Sequence, residues 1–503
     1  MKTASGAVAV QIVYSNRRGV RSLEHIGSAH DEAGVELLKT VARQRLAAGQ
    51  GELDLGLGPS AGGPLPILGS RMAVLVDALT HAYRVLGFDA AAGGDEVFAQ
   101  LVLARIMEPT SKLDSARVLA EAGVPAASYP TLKRHLPRYA DPAWRQRLSA
   151  VCARHAGLGP SSLVLYDVST LYFETDEGDG FREPGFSKER RLEPQITIGL
   201  LVDAAGFPLA VEAFEGNRAE TTTMLPTIRV FMTAHRLTDV VIVADAGMVS
   251  SANQRAIEAE GLSFILGAKI PDIPYVVRAW HETNPGRDIP DGLVLTQPWP
   301  ATPGDHRKDQ VIHYQYRADR ARRTLRGIDQ QVAKAQRAVE GKAPVKRNRF
   351  ITITGGAKSI NRTLETKTRT LAGWKGYVTD VVDTDPAFVI GAYHQLWQVE
   401  KSFRMSKHDL QARPIFHHKR ESIQAHLAVV FTALAVSRWI EAETGWSIKK
   451  FVRTTRRYRE VTIKAGEHTL TAADPLPEDL ATAINTIHTH RPAHQIEPSR
   501  VSG

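Results

Sequence analysis

The stretch Tyr393–Pro414, YHQLWQVEKSFRMSKHDLQARP, organises the reading of this chain. Taken as a helix at about 100° per residue, it places Trp397, Glu400, Arg404 and Lys407 within about 40° of Tyr393. Leu396, Val399, Phe403 and Leu410 fall between roughly −60° and −120°. One stripe is therefore apolar and anchors the helix, and the stripe beside it carries an acid, cations and aromatic rings. A solvated face carries charges without pattern, as surface pairs worth a few tenths of a kcal/mol. Here the chemical stripe borders the anchored one, which points to held, working side chains.

Composition bounds the rest. The 503 residues can bury large cores, and that length corresponds to two to four domains. Hydrophobic content of 43% and charged content of 23% are those of an ordinary globular protein. No run reads as the roughly 18 apolar residues of a membrane span. The N-terminal MKTASGAVAVQIVYSNRRG lacks a signal peptide's apolar core and cleavage site. The single Cys152 forms no internal disulfide, which fits a reducing cytoplasm. The net charge of +9 favours a polyanionic partner. Thirteen Lys or Arg and four Asp or Glu lie between Arg307 and Arg349, a balance of 13 − 4 = +9. That segment carries the surplus of the whole chain.

Six regions follow in order. Residues 1–70 predict a β-hairpin turning at Asn16–Gly19, a helix, and a Gly/Pro-rich linker. Residues 71–160 predict helices, with a helix–turn–helix outline turning at Gly123 whose second helix offers Tyr129, Thr131, Lys133, Arg134 and Arg138 to DNA. Residues 161–270 change character and predict three strands, a helix, a strand, a helix and a strand. Residues 271–370 predict an irregular or short-stranded start and then a long basic helix bearing Arg317, Arg320, Arg322, Arg323 and Arg326. Residues 371–450 return to a strand, the organising helix and a closing amphipathic helix. The tail, 451–503, starts basic.

An aspartate in an apolar strand is costly unless compensated. Asp167 lies in the middle of SSLVLYDVSTLYFE, and Asp245 ends DVVIVADAG. Asp176 and Asp179, in a Gly-rich acidic loop, and Asp203, in a turn, are the weaker choices. The histidines His394, His408, His417, His418 and His426 match no standard zinc spacing.

Tyr393-x2-Leu396-x3-Glu400-x6-Lys407, following two strand-borne aspartates, resembles the Tyr-x2-Arg-x3-Glu-x6-Lys signature of bacterial insertion-sequence DDE transposases of the insertion-sequence-four-like clan. The resemblance runs from about Ser161 to Leu434. It implies an α/β, ribonuclease-H-like core interrupted by a basic insertion, and the helix–turn–helix outline before it is read as an N-terminal helical DNA-binding region. It also implies Asp167, Asp245 and Glu400 as catalytic metal ligands for Mg2+ or Mn2+, with two ions. Tyr393 and Lys407 would touch the phosphates of the element's end, with Trp397, Trp374 or Tyr377 as a platform for a flipped base. Leu396 stands where the family has Arg. Arg404, one turn past Glu400, is placed to supply that cation. The expected partners are double-stranded DNA, as terminal inverted repeats and target, and a second copy of the chain in the synaptic complex. A nucleoid-associated bacterial enzyme is the implied setting. A nuclease without strand transfer and a non-catalytic DNA-binding protein are the alternatives.

Overall fold

The computed structural model describes residues 7–15, 21–47, 65–159, 161–175, 177–185, 192–219, 222–237, 240–245, 251–302, 304, 307–344, 348–354, 357–413, 415, 417, 419–465 and 468–491. The turn expected at Asn16–Gly19 and most of the Gly/Pro-rich linker lie outside them. The chain divides into two compact units, Met1–Ser70 with Glu460–Ala473, and Arg71–Arg459 with Asp474–Gly503.

In the first unit, Val8–Ser15 and Arg21–Ala29 pair antiparallel and the helix Glu32–Ala47 packs on them. Ile67–Arg71 forms a three-stranded sheet with the hairpin Glu460–Ala465 and His468–Ala473. That pairing joins segments almost 400 residues apart in sequence, so no local pattern announces it.

The second unit is built on an eight-stranded mixed sheet. Its strands are β1 (Ser162–Tyr172), β2 (Gln195–Asp203), β3 (Pro208–Glu215), β4 (Val240–Ala244), β5 (Ser263–Ala268), β6 (Val294–Trp299), β7 (Gln310–Tyr316) and β8 (Trp374–Thr379). Their spatial order is β3-β2-β1-β4-β5-β8-β7-β6. β1 through β3 form an antiparallel meander, β4 lies parallel to β1, and β5 lies parallel to β4. The expected run of three strands, helix, strand, helix and strand is present, with Met224–His235 and Ser251–Ala259 as the helices. Pro226 sits in the first turn of its helix, where the missing N–H costs nothing. β6 lies in the stretch expected to be irregular or short-stranded, and β7 follows it. Both extend the sheet, with Pro298 on the edge strand where a missing donor is tolerated.

Side chains alternate between the two faces of the sheet. Val164, Tyr166, Ile242, Ala244, Phe264 and Leu266 pack on one face, with Ile228 and Phe231 of Met224–His235 and Ile257 of Ser251–Ala259. Leu165, Leu200, Val241, Val243, Ile265 and Tyr377 pack on the other, against the organising helix and Arg420–Thr444. That face shares its core with the N-terminal helices Ala73–Val85, Glu96–Met107, Tyr129–Tyr139 and Pro142–Ala156, through Leu75, Phe98, Leu136 and Leu148.

Two readings of the sequence are corrected by this fold. Arg420–Thr444 is not amphipathic: all residues from Ala425 to Ile440 are buried, because helices and sheet cover it all round. By length and composition it could also span a membrane, yet 94% of its apolar stretch is buried inside the protein. The organising segment is likewise not one helix. It is Pro386–His394, a joint at Gln395, Leu396–Arg404, and a π-helical turn Met405–Asp409.

The tight turn between β2 and β3 fixes this helix to the sheet. Ser402 Oγ donates to the Gly206 carbonyl at 2.8 Å, and the buried Arg438 guanidinium bonds the Ala205 carbonyl and Gln398 Oε1. Gly206 has φ of +84°, and an added Cβ would stand 2.9 Å from Gln398 Cβ. Gly206→Ala is expected to cost about 1–3 kcal/mol from left-handed backbone plus overpacking. Gly292→Ala, at φ of +86° with nothing within 4 Å, isolates the backbone part. Equal losses for the two in urea unfolding would show that the helix does not press on this turn.

Candidate active site

The geometry starts from one register. β1 and β4 run parallel with Leu165 opposite Val243. Asp167 and Asp245 each lie two residues further on, so alternation returns both to the face of Leu165 and Val243, toward the organising helix. Asp167 is half-buried within its strand. Asp245 is exposed, the first residue past β4. Leu396–Arg404 crosses this edge with Val399 fully buried against the core, which turns Glu400 outward on the next position. Asp167, Asp245 and Glu400 line one cleft of about 290 Å³, together with Tyr166, Lys375, Tyr393, His394, Leu396, Trp397 and Val399.

Tyr393 is buried, and its hydroxyl donates to Asp245 Oδ1. Its ring packs edge-to-face on Tyr377, with centroids 5.0 Å apart. The Lys375 ammonium lies 4.2 Å from the Tyr393 ring centroid, a cation–π distance. Burial pulls the Lys375 amine below its ordinary pKa, while the charges of Asp245 and Glu400 push it up. Burial, and then the positive charge of Lys375, also lowers His394.

Three carboxylates facing one cleft are the donor chemistry of a hard divalent cation. Their spacing is another matter. Among the described residues no three His, Cys, Asp or Glu side chains converge closely enough to hold an ion together. Tyr393 donates to Asp245, and the charges of Asp245 and Glu400 act on Lys375.

The other residues singled out in the sequence scatter more widely. Trp397 is 55% exposed at the cleft, whereas Trp374 is buried on the opposite face of the sheet and Tyr377 lies fully in the core. Leu396 packs partly buried against the core while lining the cleft. Arg404 is exposed outside it, and Lys407, in the π-helical turn, lies beside Ser169, Leu171 and Phe403. Lys133 and Arg134 are exposed on Tyr129–Tyr139, a helix capped by Ser128 accepting from the Thr131 N–H. Gly123, before it, has φ of +77°.

The basic helix Ala318–Val339 divides its cations by role. Arg320 donates to the backbone carbonyls of Gln315 and Gly373, at 3.3 and 3.2 Å. Arg317 pairs with Asp291 and Arg322 with Asp319. Arg323 and Arg326 stand exposed.

Sequence reasoning missed Lys375, although alternation in WKGYVT puts it on the same face as Tyr377, and a lysine facing a sheet's core side is the signal that could have found it. It also passed over the groove of about 560 Å³ between Leu410 and Val452, lined by Lys449, Lys450, Arg453 and Arg456, whose cations are scattered along a tail that reads simply as basic.

Against known proteins, no curated protein matches the sequence. Among solved structures, a cryo-EM structure of the piggyBac transposase synaptic complex with hairpin DNA resembles the chain distantly. The TM-score is 0.39 and the identity 12%, over 85% of this chain and 77% of that one. Residues 158–436, more than half of the chain, match the family described as the transposase DDE domain. That span contains both strand-borne aspartates, the basic helix Ala318–Val339 and the helix Leu396–Arg404, and the chain belongs to the DDE transposase family.

Proposed function

We propose that this transposase cuts and rejoins the DNA of a bacterial insertion element through a ribonuclease-H-like core, with Asp167, Asp245 and Glu400 as its catalytic residues. The observation that carries the reading is the common cleft of these three carboxylates, within the span of the family match. They would hold divalent cations, Mg2+ or Mn2+ and two of them. Such ions activate a water or a DNA 3′-hydroxyl and stabilise the leaving oxygen of an in-line displacement at phosphorus. The chain's own residues do the remainder. The carboxylates carry the ligand charge, Trp397 offers an exposed ring for an unstacked base, and Arg404, Lys407, Arg323 and Arg326 offer cations to phosphates. Lys133 and Arg134 extend the DNA contact from the N-terminal helices. The substrate is double-stranded DNA, as terminal repeats and target, engaged by two copies of the chain.

Asp167→Asn, Asp245→Asn and Glu400→Gln should each lower DNA cleavage by several orders of magnitude while leaving folding and DNA binding near wild type. Near-normal cleavage by any one of them removes that residue from the site. Products joined from paired element ends separate a transposase from a nuclease that only cuts.

The split among the basic residues predicts a split in salt dependence. Neutralising Arg323 and Arg326 should flatten the log–log salt slope of DNA binding by about 0.9 for each phosphate left without its cation. Arg320→Ala should leave the slope alone and lower stability, because its guanidinium ties backbone carbonyls. A slope unmoved by the Arg323 and Arg326 changes would turn this helix away from DNA.

Arg404 takes the part of the family's missing Arg at Leu396. Arg404→Ala should lower end cleavage sharply, with only partial recovery in Arg404→Lys, because lysine lacks the bidentate fork. Leu396→Ala should act on stability, by about 2 kcal/mol or less for a partly buried site. The roles are reversed if Leu396→Ala is stable yet inert while Arg404→Ala cleaves normally.

A further inference from the structure

The carboxylate cleft already contains a cation. Lys375 enters from β8, which runs antiparallel to β5, with Gly376 opposite Ala268 at the carboxyl end of that strand. β5 in turn lies beside β4, with Ala244 opposite Leu266. The start of β8 is thereby brought to the sheet edge where Asp245 emerges. Alternation puts Lys375 on the face of Tyr377, the face shared by Asp167, Asp245 and the organising helix.

What holds the amine there is specific. Its Nζ sits 4.2 Å from the Tyr393 ring centroid and 5.8 Å from that of Tyr377. The same Tyr393 donates its hydroxyl to Asp245. One aromatic ring thus carries the lysine on its face and the aspartate on its hydroxyl. The charges acting on the amine include Asp245 and Glu400, two of the three carboxylates of the cleft, and Arg320 on the repelling side. Among the described residues, no three acids converge into a ligand set.

We propose that Lys375 is the resident counter-cation of this cleft, a positioning residue that with Tyr393 engages Asp245 and Glu400 in the free protein, so that a divalent ion binds only as this Lys375–Tyr393–Asp245 contact opens. The inference rests on the reading of the cleft as the metal site. Carboxylates facing a shared cleft repel one another unless a positive charge lies between them. A lysine fixed on a ring provides that charge before any ion or DNA arrives. The same charge opposes the entry of a second cation, so it sets a threshold for loading. DNA phosphate offers the ammonium another partner, which couples substrate arrival to release of the carboxylates.

The test uses the full chain, free of DNA, with Mn2+ alone as probe, measured by calorimetry or by the electron paramagnetic resonance of free Mn2+. Lys375→Met, which keeps the aliphatic bulk and removes the charge, should tighten Mn2+ binding about tenfold. Lys375→Arg should stay near wild type, and Tyr393→Phe should tighten binding, because the Tyr393 hydroxyl no longer competes for Asp245 Oδ1. A merely structural role for Lys375 would weaken binding on mutation rather than strengthen it. Asp245→Asn identifies the site, since it should abolish the binding in every background. If Asp245→Asn abolishes Mn2+ binding but Lys375→Met and Tyr393→Phe bind no tighter than wild type, this inference falls and the carboxylate site stands. If Mn2+ binding is absent, or indifferent to Asp245→Asn, the reading of the cleft falls and this inference with it. Should Lys375→Met fail to fold, judged by circular dichroism, Tyr393→Phe carries the test with the same expected sign.

Discussion

The parallel pairing of β1 with β4 is the constraint on which the rest depends. Residues 162–165 and 240–243 lie side by side in register, and the two aspartates emerge two residues later on the same face of the sheet. A slip of one residue would send one carboxylate to the opposite face, into the packing of Tyr166, Ile242 and Phe264. The surroundings of the pair hold that register. All five residues of β4 are buried, and the two helices that cover the other face pack it with apolar side chains.

The third carboxylate arrives by a different route. Glu400 lies on a helix whose position is set by the turn between β2 and β3, through Ser402 and through Arg438 reaching across from the buried helix Arg420–Thr444. That helix is enclosed between the sheet and the N-terminal helices. Its buried guanidinium holds Leu396–Arg404, bonded to the Ala205 carbonyl and Gln398 and paired with Glu441 at 3.6 Å. The N-terminal helices are therefore part of what keeps the site in place, because they complete the apolar enclosure on which Arg438 relies. A buried cation whose donors are directed at fixed acceptors specifies geometry more than it adds stability.

Electrostatics divide the same way around the basic helix. Ala318–Val339 is rich in arginine, yet Arg317, Arg320 and Arg322 are engaged by acids or backbone carbonyls. The exposed remainder, Arg323 and Arg326 among them, is what a polyanion would meet. In the cleft the charge has the opposite sign, with Lys375 lining it and the Tyr393 hydroxyl donating to Asp245. A protein that must bring a phosphate backbone to an acid-lined cleft has to manage both.

By itself the sequence singled out the acids that line the cleft and the order in which they occur. Asp167 and Asp245 stand out because an acid inside an apolar strand has a cost that pattern alone reveals, and Glu400 because its helix separates an apolar stripe from a chemical one. The order of strands and helices across 161–270 was legible for the same reason, since periodicity is local. Tertiary structure decided what depends on distant partners. The break at Gln395 and the π-helical turn follow from docking, and no periodicity encodes them. β6 and β7 became sheet only because β8 offered an edge to pair with. Arg420–Thr444 became a fully enclosed core helix because layers on both sides cover it, while its sequence alone reads as one-sided. Lys375 acquired its place from the antiparallel return of β8 to the edge where β4 ends. Alternation marks a lysine on the core side of a short strand, but nothing local marks the carboxylates it will face, because the chain meets them only after folding.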